Sequence, residues 1–232
     1  MKFHKKSLGQ NFLTDLNIIK KIVNTISVEG NNILEIGPGK GALTDEILKK
    51  KPKSIILVEK DFTLASELKN KFKNNKNIKI YNQDILKFNL ERKLKKDSIV
   101  FGNLPYNISS QILVKTIKFK SWPPNYKALI FMFQKELAEK IIGEFKTPNY
   151  GRLSIITNYR LNIFEKFTIS PNCFFPKPKV KSMILGFKPK KKLYHKIKNM
   201  NKLEEVTRIL FSNKRKMINK NIKKIFKKNK KP

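Results

Sequence analysis

Four consecutive residues, Asn103-Leu104-Pro105-Tyr106, set an amide, a carbonyl followed by proline, and an aromatic ring side by side. The amide oxygen and the carbonyl can each accept one N–H of an exocyclic amine on a flat base. A tyrosine ring can stack on a base drawn out of its helix. The chemical purpose lies in the nitrogen. The 6-amino lone pair of adenine is delocalised into the ring and attacks poorly, and accepting its protons favours a more tetrahedral nitrogen with a lone pair aimed at an electrophilic carbon. No strong base is required, because the proton can leave after transfer, and orientation with desolvation supplies most of the rate. In isolation the same tetrapeptide also reads as a turn around a buried tyrosine.

A second set of residues suits the electrophile. A strand-like run ends in Glu35-Ile-Gly37-Pro-Gly39-Lys-Gly41 with a helix pattern directly behind it. Glycines let a ligand approach the backbone without interference from Cβ, and in an open α/β sheet ligands bind beyond the carboxyl ends of the strands. A dinucleotide fingerprint would read GxGxxG, whereas this loop reads GxGxG after an acid. An acid there opposes a phosphate and suits an ammonium or sulfonium group. Glu59 and Asp84 end the next two strands, where one carboxylate can accept the two hydroxyls of a ribose and the other an adenine amino proton. Each acid alone also reads as a solvated strand end or a helix cap. Three at successive strand ends point to S-adenosylmethionine, which joins ammonium, sulfonium, ribose diol and adenine without a phosphate.

The elements that must position these residues alternate. Strands are predicted at 32–36, 54–59, 78–82, 98–103 and 127–133, with helices at 42–50, 62–74, 109–120 (Ser109 as its N-cap) and 135–142. Parallel neighbours need crossover connections, so the expected fold class is α/β: a parallel sheet covered by helices on both faces. Residues 151–159 read as helical, and 163–169 with 180–187 read as an antiparallel edge pair around a proline-rich turn.

The chain of 232 residues carries 52 Lys+Arg against 17 Asp+Glu, a net charge of +35. Such a field attracts polyanions and holds them through counterion release, so nucleic acid or an anionic membrane is the expected partner. An AT-rich genome would also produce this excess, since only five of the 52 are Arg. From Lys188 onward 18 basic residues face two acids. Leu203, Val206 and Leu210, then Ile218, Ile222, Ile225 and Phe226, recur there at helical spacing. This gives a sheet domain over 1–190 and a short basic helical extension over 191–232. With Cys173 as the one cysteine and two distant histidines, no disulfide and no metal site is expected. The longest apolar run, Ala128–Phe133, is too short for a membrane span, so a cytoplasmic location is expected.

Several motifs in order carry a resemblance. KSLGQNFL at 6–13, EIGPGKGALT at 35–44, VEKD at 58–61, FGNLPYNIS at 101–109, FQKELAEKI at 133–141, YGRLS at 150–154 and FFPKPKVKS at 174–182 are similar to those of the rRNA adenine N6,N6-dimethyltransferases. The match covers roughly residues 5–226. EIGPG, the QKE and YGRLS segments, and FSNKRK at 211–216 resemble the small-subunit (KsgA-type) branch. FPKPK leans towards the sister Erm methyltransferases of 23S rRNA. The resemblance implies a Rossmann-like class I S-adenosylmethionine-dependent fold. It implies dimethylation of two adjacent adenosines near the 3′ end of small-subunit rRNA, on a pre-30S particle, by a monomer. Residue by residue it implies cofactor contacts from Asn11, Leu13, Gly37, Gly39, Glu59, Asp84 and Asn103, and a base sandwiched between Tyr106 and Phe174. Phe174 beside Phe175, like Phe12, also reads as packing. Members of that branch continue some tens of residues past the FSNKRK helix, so an abbreviated helical extension is expected. A non-enzymatic rRNA-binding factor and a DNA adenine methyltransferase are the competing functions; the intact Glu59, Asp84 and Asn103–Tyr106 set opposes the first, and the Phe174 segment with the basic tail opposes the second.

Overall fold

Apolar runs such as Ile55–Val58 and Ile99–Phe101 are satisfied only where both faces of a strand are covered. The computed structural model describes residues 11–193, 195, 197 and 199–212. In chain order its elements are β1 (Phe12–Leu13), α1 (Leu16–Val23), β2 (Asn32–Ile36), α2 (Ala42–Lys49), β3 (Ser54–Glu59), α3 (Phe62–Lys71), β4 (Ile78–Asn82), α4 (Leu90–Lys93) and β5 (Ser98–Asn103). There follow α5 (Ser109–Ile117), β6 (Tyr126–Gln134), α6 (Lys135–Ile142), α7 (Arg152–Arg160), β7 (Leu161–Ile169), β8 (Phe174–Phe175), β9 (Ser182–Pro189) and α8 (Met200–Leu210).

Among the described residues seven strands form one sheet in the order β4-β3-β2-β5-β6-β9-β7, and β1 with β8 forms a separate pair. The pairs β4–β3, β3–β2, β2–β5 and β5–β6 are parallel, while β9 lies antiparallel between β6 and β7. Alternation along each strand splits the core in two. Leu34, Ile36, Val100 and Phe131 pack on one face with Ile112 and Ile117 of α5. Ile33, Ile55, Leu57, Ile99 and Ile130 pack on the other with Ile19 and Ile22 of α1 and Ile47 of α2. The winding direction reverses between β2 and β5, which makes the carboxyl ends of those two strands the natural crevice of this Rossmann-like architecture.

Two helices stop three residues short of their predicted ends. The stretch 62–74 ends as α3 at Lys71, with Phe72 closing it and burying its ring. The stretch 109–120 ends as α5 at Ile117, because Nη1 of Arg160 donates to the carbonyls of Ile117 (2.5 Å) and Phe119 (2.8 Å). Ser109 is not an N-cap: Ile108 holds that position, and the Ser109 hydroxyl donates to the Tyr106 carbonyl at 3.1 Å. Helix α1, capped by Asp15 through the amides of Asn17 and Ile18, and the two-residue strands β1 and β8 were not read from the sequence. Of the basic extension, α8 covers Leu203, Val206 and Leu210. The stretch 218–226 and residues 213–216 of the FSNKRK segment lie outside the described residues. Helix α8 packs on the sheet domain: Met200 joins the cluster containing Phe131 and Phe187, and the Glu204 carboxylate bridges Lys118 (2.9 Å) and Arg152 (3.1 Å).

Arg160 is 6% exposed and its guanidinium lies 4.4 Å from the centre of the Trp122 ring. Replacing it by Met keeps the apolar stem but leaves two inward carbonyls without a donor. Arg160→Met is expected to lower unfolding stability by about 2–3 kcal/mol, read as a shifted urea midpoint with an unchanged slope. A midpoint equal to that of the unsubstituted protein would contradict this role.

Candidate active site

Both loops at the reversal point meet over the sheet. Gly37 follows β2 with φ +65° and donates its N–H to the Val58 carbonyl at 2.9 Å. A Cβ on Gly37 would stand 3.6 Å from the Asn103 carbonyl oxygen, so the glycine loop lies against the end of β5. Gly39, at φ +58°, is more constrained: a Cβ there would come within 2.8 Å of the Phe12 ring. The flap residue Phe12 therefore covers the loop only because position 39 has no side chain.

Between these elements is a cavity of about 400 Å³ whose lining includes Glu35, Glu59, Asp84, Asn103 and Tyr106. Of the sequence-predicted residues, Asn11, Leu13, Gly37, Gly39, Leu104 and Pro105 also line it. Phe174 is not brought there. It is 4% exposed and packs in the cluster with Leu13 and Ile169, while its neighbour Phe175 is 57% exposed. The pairing of Leu13 with Phe174 in the β1–β8 ladder accounts for that burial, since neighbouring residues of a strand face opposite ways.

The three acids have different surroundings. Glu59 accepts from the amide of Gly39 at 3.1 Å and from that of Asp61 at 2.9 Å, so it braces the loop and the turn after β3 together. Burial pushes its carboxyl above the usual range against those hydrogen bonds. Asp84 is held below its usual value, first by Lys60 at 2.9 Å and then by the Leu86 amide, and stays an anionic acceptor. Glu35 is 2% exposed and accepts from the Thr44 hydroxyl at 2.6 Å. Its burial, outweighing that hydrogen bond, raises it to about 7. The segment after Asp84 is fixed from behind by Lys115, whose ammonium donates to the Ile85 (2.9 Å) and Leu86 (2.6 Å) carbonyls. Lys60, Thr44 and Lys115 were not singled out in the sequence, because their roles depend on pairings across 24, nine and about thirty residues rather than on any local spacing.

At the end of β5, Nδ2 of Asn103 donates to the Asn11 carbonyl at 3.0 Å. That bond fixes which end of the amide is which and leaves Oδ1 to accept. Tyr106 is half-buried, and its hydroxyl is 2.7 Å from Oγ of Ser182. Burial raises its phenol above the usual value, so the ring is neutral at working pH. The residues fit S-adenosylmethionine: buried carboxylates for a cation and a diol, and a glycine cradle that a Cβ would fill. Among the described residues no group of His, Cys, Asp and Glu could hold a metal ion.

The profile of the ribosomal RNA adenine dimethylase family matches residues 1–231. A ribosomal RNA small subunit methyltransferase A of Pelagibacter ubique is 48% identical over 225 residues, covering 96% of this chain and 84% of that protein. One of the same name from Mycoplasmopsis synoviae is 40% identical, covering 92% and 80%. Among solved structures, a dimethyladenosine transferase from Plasmodium falciparum superposes with a TM-score of 0.78 at 30% identity over 91% of this chain and 74% of that one. The 23S rRNA methyltransferase ErmE superposes with a TM-score of 0.71 at 25% identity, over 92% and 84%.

Because Glu35 titrates near pH 7 in the folded chain and near 4.5 when unfolded, the stability it contributes is complete below pH 4.5 and is lost as pH rises through 7. A bound cation favours the carboxylate and reverses that preference. S-adenosylmethionine affinity is therefore expected to rise about tenfold from pH 6 to pH 8 with proton release, measured by titration calorimetry in buffers of different ionisation enthalpy. Glu35→Gln should flatten the profile; an unchanged slope in that variant would assign the proton to another group.

Proposed function

The chain belongs to the ribosomal RNA adenine dimethylase family, whose methyl donor is S-adenosylmethionine, and on that premise we propose the site, target and setting of its reaction. The target is the pair of adjacent adenosines near the 3′ end of small-subunit rRNA, each receiving two methyl groups at N6. The substrate form is a pre-30S particle, and the enzyme acts as a monomer in the cytoplasm. In support, the relatives that match at 40% identity or more carry the small-subunit name. Among the described residues no helix is long and apolar enough to cross a membrane.

Gly37 and Gly39 cradle the donor, Glu59 takes its ribose hydroxyls, Asp84 its adenine amine, and Asn11, Leu13 and Asn103 complete its enclosure. When bound, the donor supplies a methyl group made electrophilic by its sulfonium. Oδ1 of Asn103 and the carbonyl of Leu104 accept the two N–H bonds of the target amine. Proline at 105 removes a competing backbone donor and restricts Leu104 to an extended conformation, which keeps its carbonyl in place. Tyr106 stacks on the base. Phe174 is the proposed opposite face, and for it to reach the base the β1–β8 pair must shift, because the ring is packed beneath the flap. No separate base is needed: once methylated, the target nitrogen carries four bonds and a positive charge, is strongly acidic, and loses its proton after the transfer. Attack therefore gains its rate from alignment and dehydration.

The observation that carries this reading is the Asn103–Asn11 hydrogen bond. It joins the flap over the donor loop to the amide that handles the acceptor, so both substrates share one oriented group. The test uses small subunits lacking the modification, incubated with methyl-labelled donor, followed by mapping of N6,N6-dimethyladenosine. Two neighbouring positions near the 3′ end of the small-subunit rRNA should be labelled. Asn103→Ala should bind the particle within a few-fold yet lose about 100-fold or more of the methyl-transfer rate. Labelling of large-subunit rRNA, or weakened binding with unchanged turnover per complex, would overturn the proposal.

A further inference from the structure

We infer that Ser182 is a positioning residue for Tyr106: its hydroxyl fixes the ring on which the target base is to stack. This rests on the acceptor site proposed above and adds to it a residue 76 positions further along the chain. Ser182 is fully buried and opens β9. Because β9 runs antiparallel, its first residue pairs with Gln134, the last of β6, and with Ile169, the last of β7. The Ser182 backbone is thus pinned on both sides at the rim of the sheet where the crevice opens. Two residues on, and so on the same face of the strand, Ile184 lines the same cavity as Tyr106 and Asn103.

Against this fixed point the tyrosine is loosely held by packing alone, being half-buried with one face of its surroundings open to the cavity. Two bonds immobilise it. Ser109 donates to its carbonyl at 3.1 Å, and its hydroxyl lies 2.7 Å from Oγ of Ser182. The phenol bond pins the far end of the ring and so the direction in which the side chain leaves the backbone, and it gives the buried serine hydroxyl its partner. The same stretch of chain runs from Phe174 in β8 to Ser182 in β9, so one segment carries both the second aromatic and the anchor of the first.

The test compares Ser182→Ala, Ser182→Thr, Tyr106→Phe and the double variant Ser182→Ala/Tyr106→Phe in the full chain. On unmethylated small subunits, Ser182→Ala and Tyr106→Phe should each lower kcat about fivefold to tenfold, with donor Kd within twofold. The double variant should fall no further than either single one, and Ser182→Thr should recover at least half of the lost rate. In the free protein, the 13C ring resonances assigned to Tyr106 should shift and broaden in Ser182→Ala. Multiplicative losses in the double variant, a change in donor Kd in place of kcat, or unaltered ring resonances would each overturn the inference. Absence of methyl transfer by the unsubstituted protein would instead defeat the proposed target, and the ring spectrum would still decide the role of Ser182.

Discussion

An amide group is useful to a nucleophilic amine only if its oxygen, not its nitrogen, faces that amine. Here the choice is made by one hydrogen bond, from Nδ2 of Asn103 to the carbonyl of Asn11. Everything around the crevice serves to keep those two atoms together. Asn103 ends β5, whose neighbours β2 and β6 are parallel and buried, so the amide stands on a rigid rim. Asn11 belongs to a short flap that has no core of its own and must be held by others.

That holding is distributed. Phe12 and Leu13 pair with Phe175 and Phe174, Thr14 donates from its amide (2.9 Å) and its hydroxyl (3.2 Å) to the Cys173 carbonyl, and the Phe12 ring rests where a Gly39 side chain would be. Glu59 grips the amide of Gly39 from below. The glycine loop is consequently sandwiched between a carboxylate and a ring. A buried carboxylate bonded only to neutral donors, amides at Glu59 and a hydroxyl at Glu35, costs desolvation, which agrees with the upward displacement of both. Positive charge brought close to Glu35 offsets that cost by favouring its charged form.

Much of this was legible in the sequence. The five parallel strands, the glycine loop, the acids at strand ends and the Asn103–Tyr106 tetrapeptide are local signals, carried by short continuous apolar runs and by side chains within a few positions of one another. Less legible were features made by distant segments. Helix α1 has apolar residues at helical spacing, Ile19, Ile22 and Val23, behind the Asp15 cap, and could have been found by the same periodicity. Strands β1 and β8 could not, since two residues show no period. The inward turn of Phe174 depends on its register with Leu13, and one step of register would exchange it with Phe175. The early end of α5 likewise depends on Arg160, more than forty positions away. Motif spacing says which residues gather, and pairing across the chain says which way they point.

The flap joins residues 159 apart in sequence, as the Thr14–Cys173 bond measures. A ribosome making this chain must extrude nearly all of the sheet domain before β8 can meet β1. Contacts of such long range also form late when a whole chain folds, because closing a large loop costs entropy before it is rewarded. A half-made polypeptide would thus own a glycine loop and an acceptor strand yet no cover over either. During synthesis, then, the cover is completed only after the glycine loop and the strand end that it closes over.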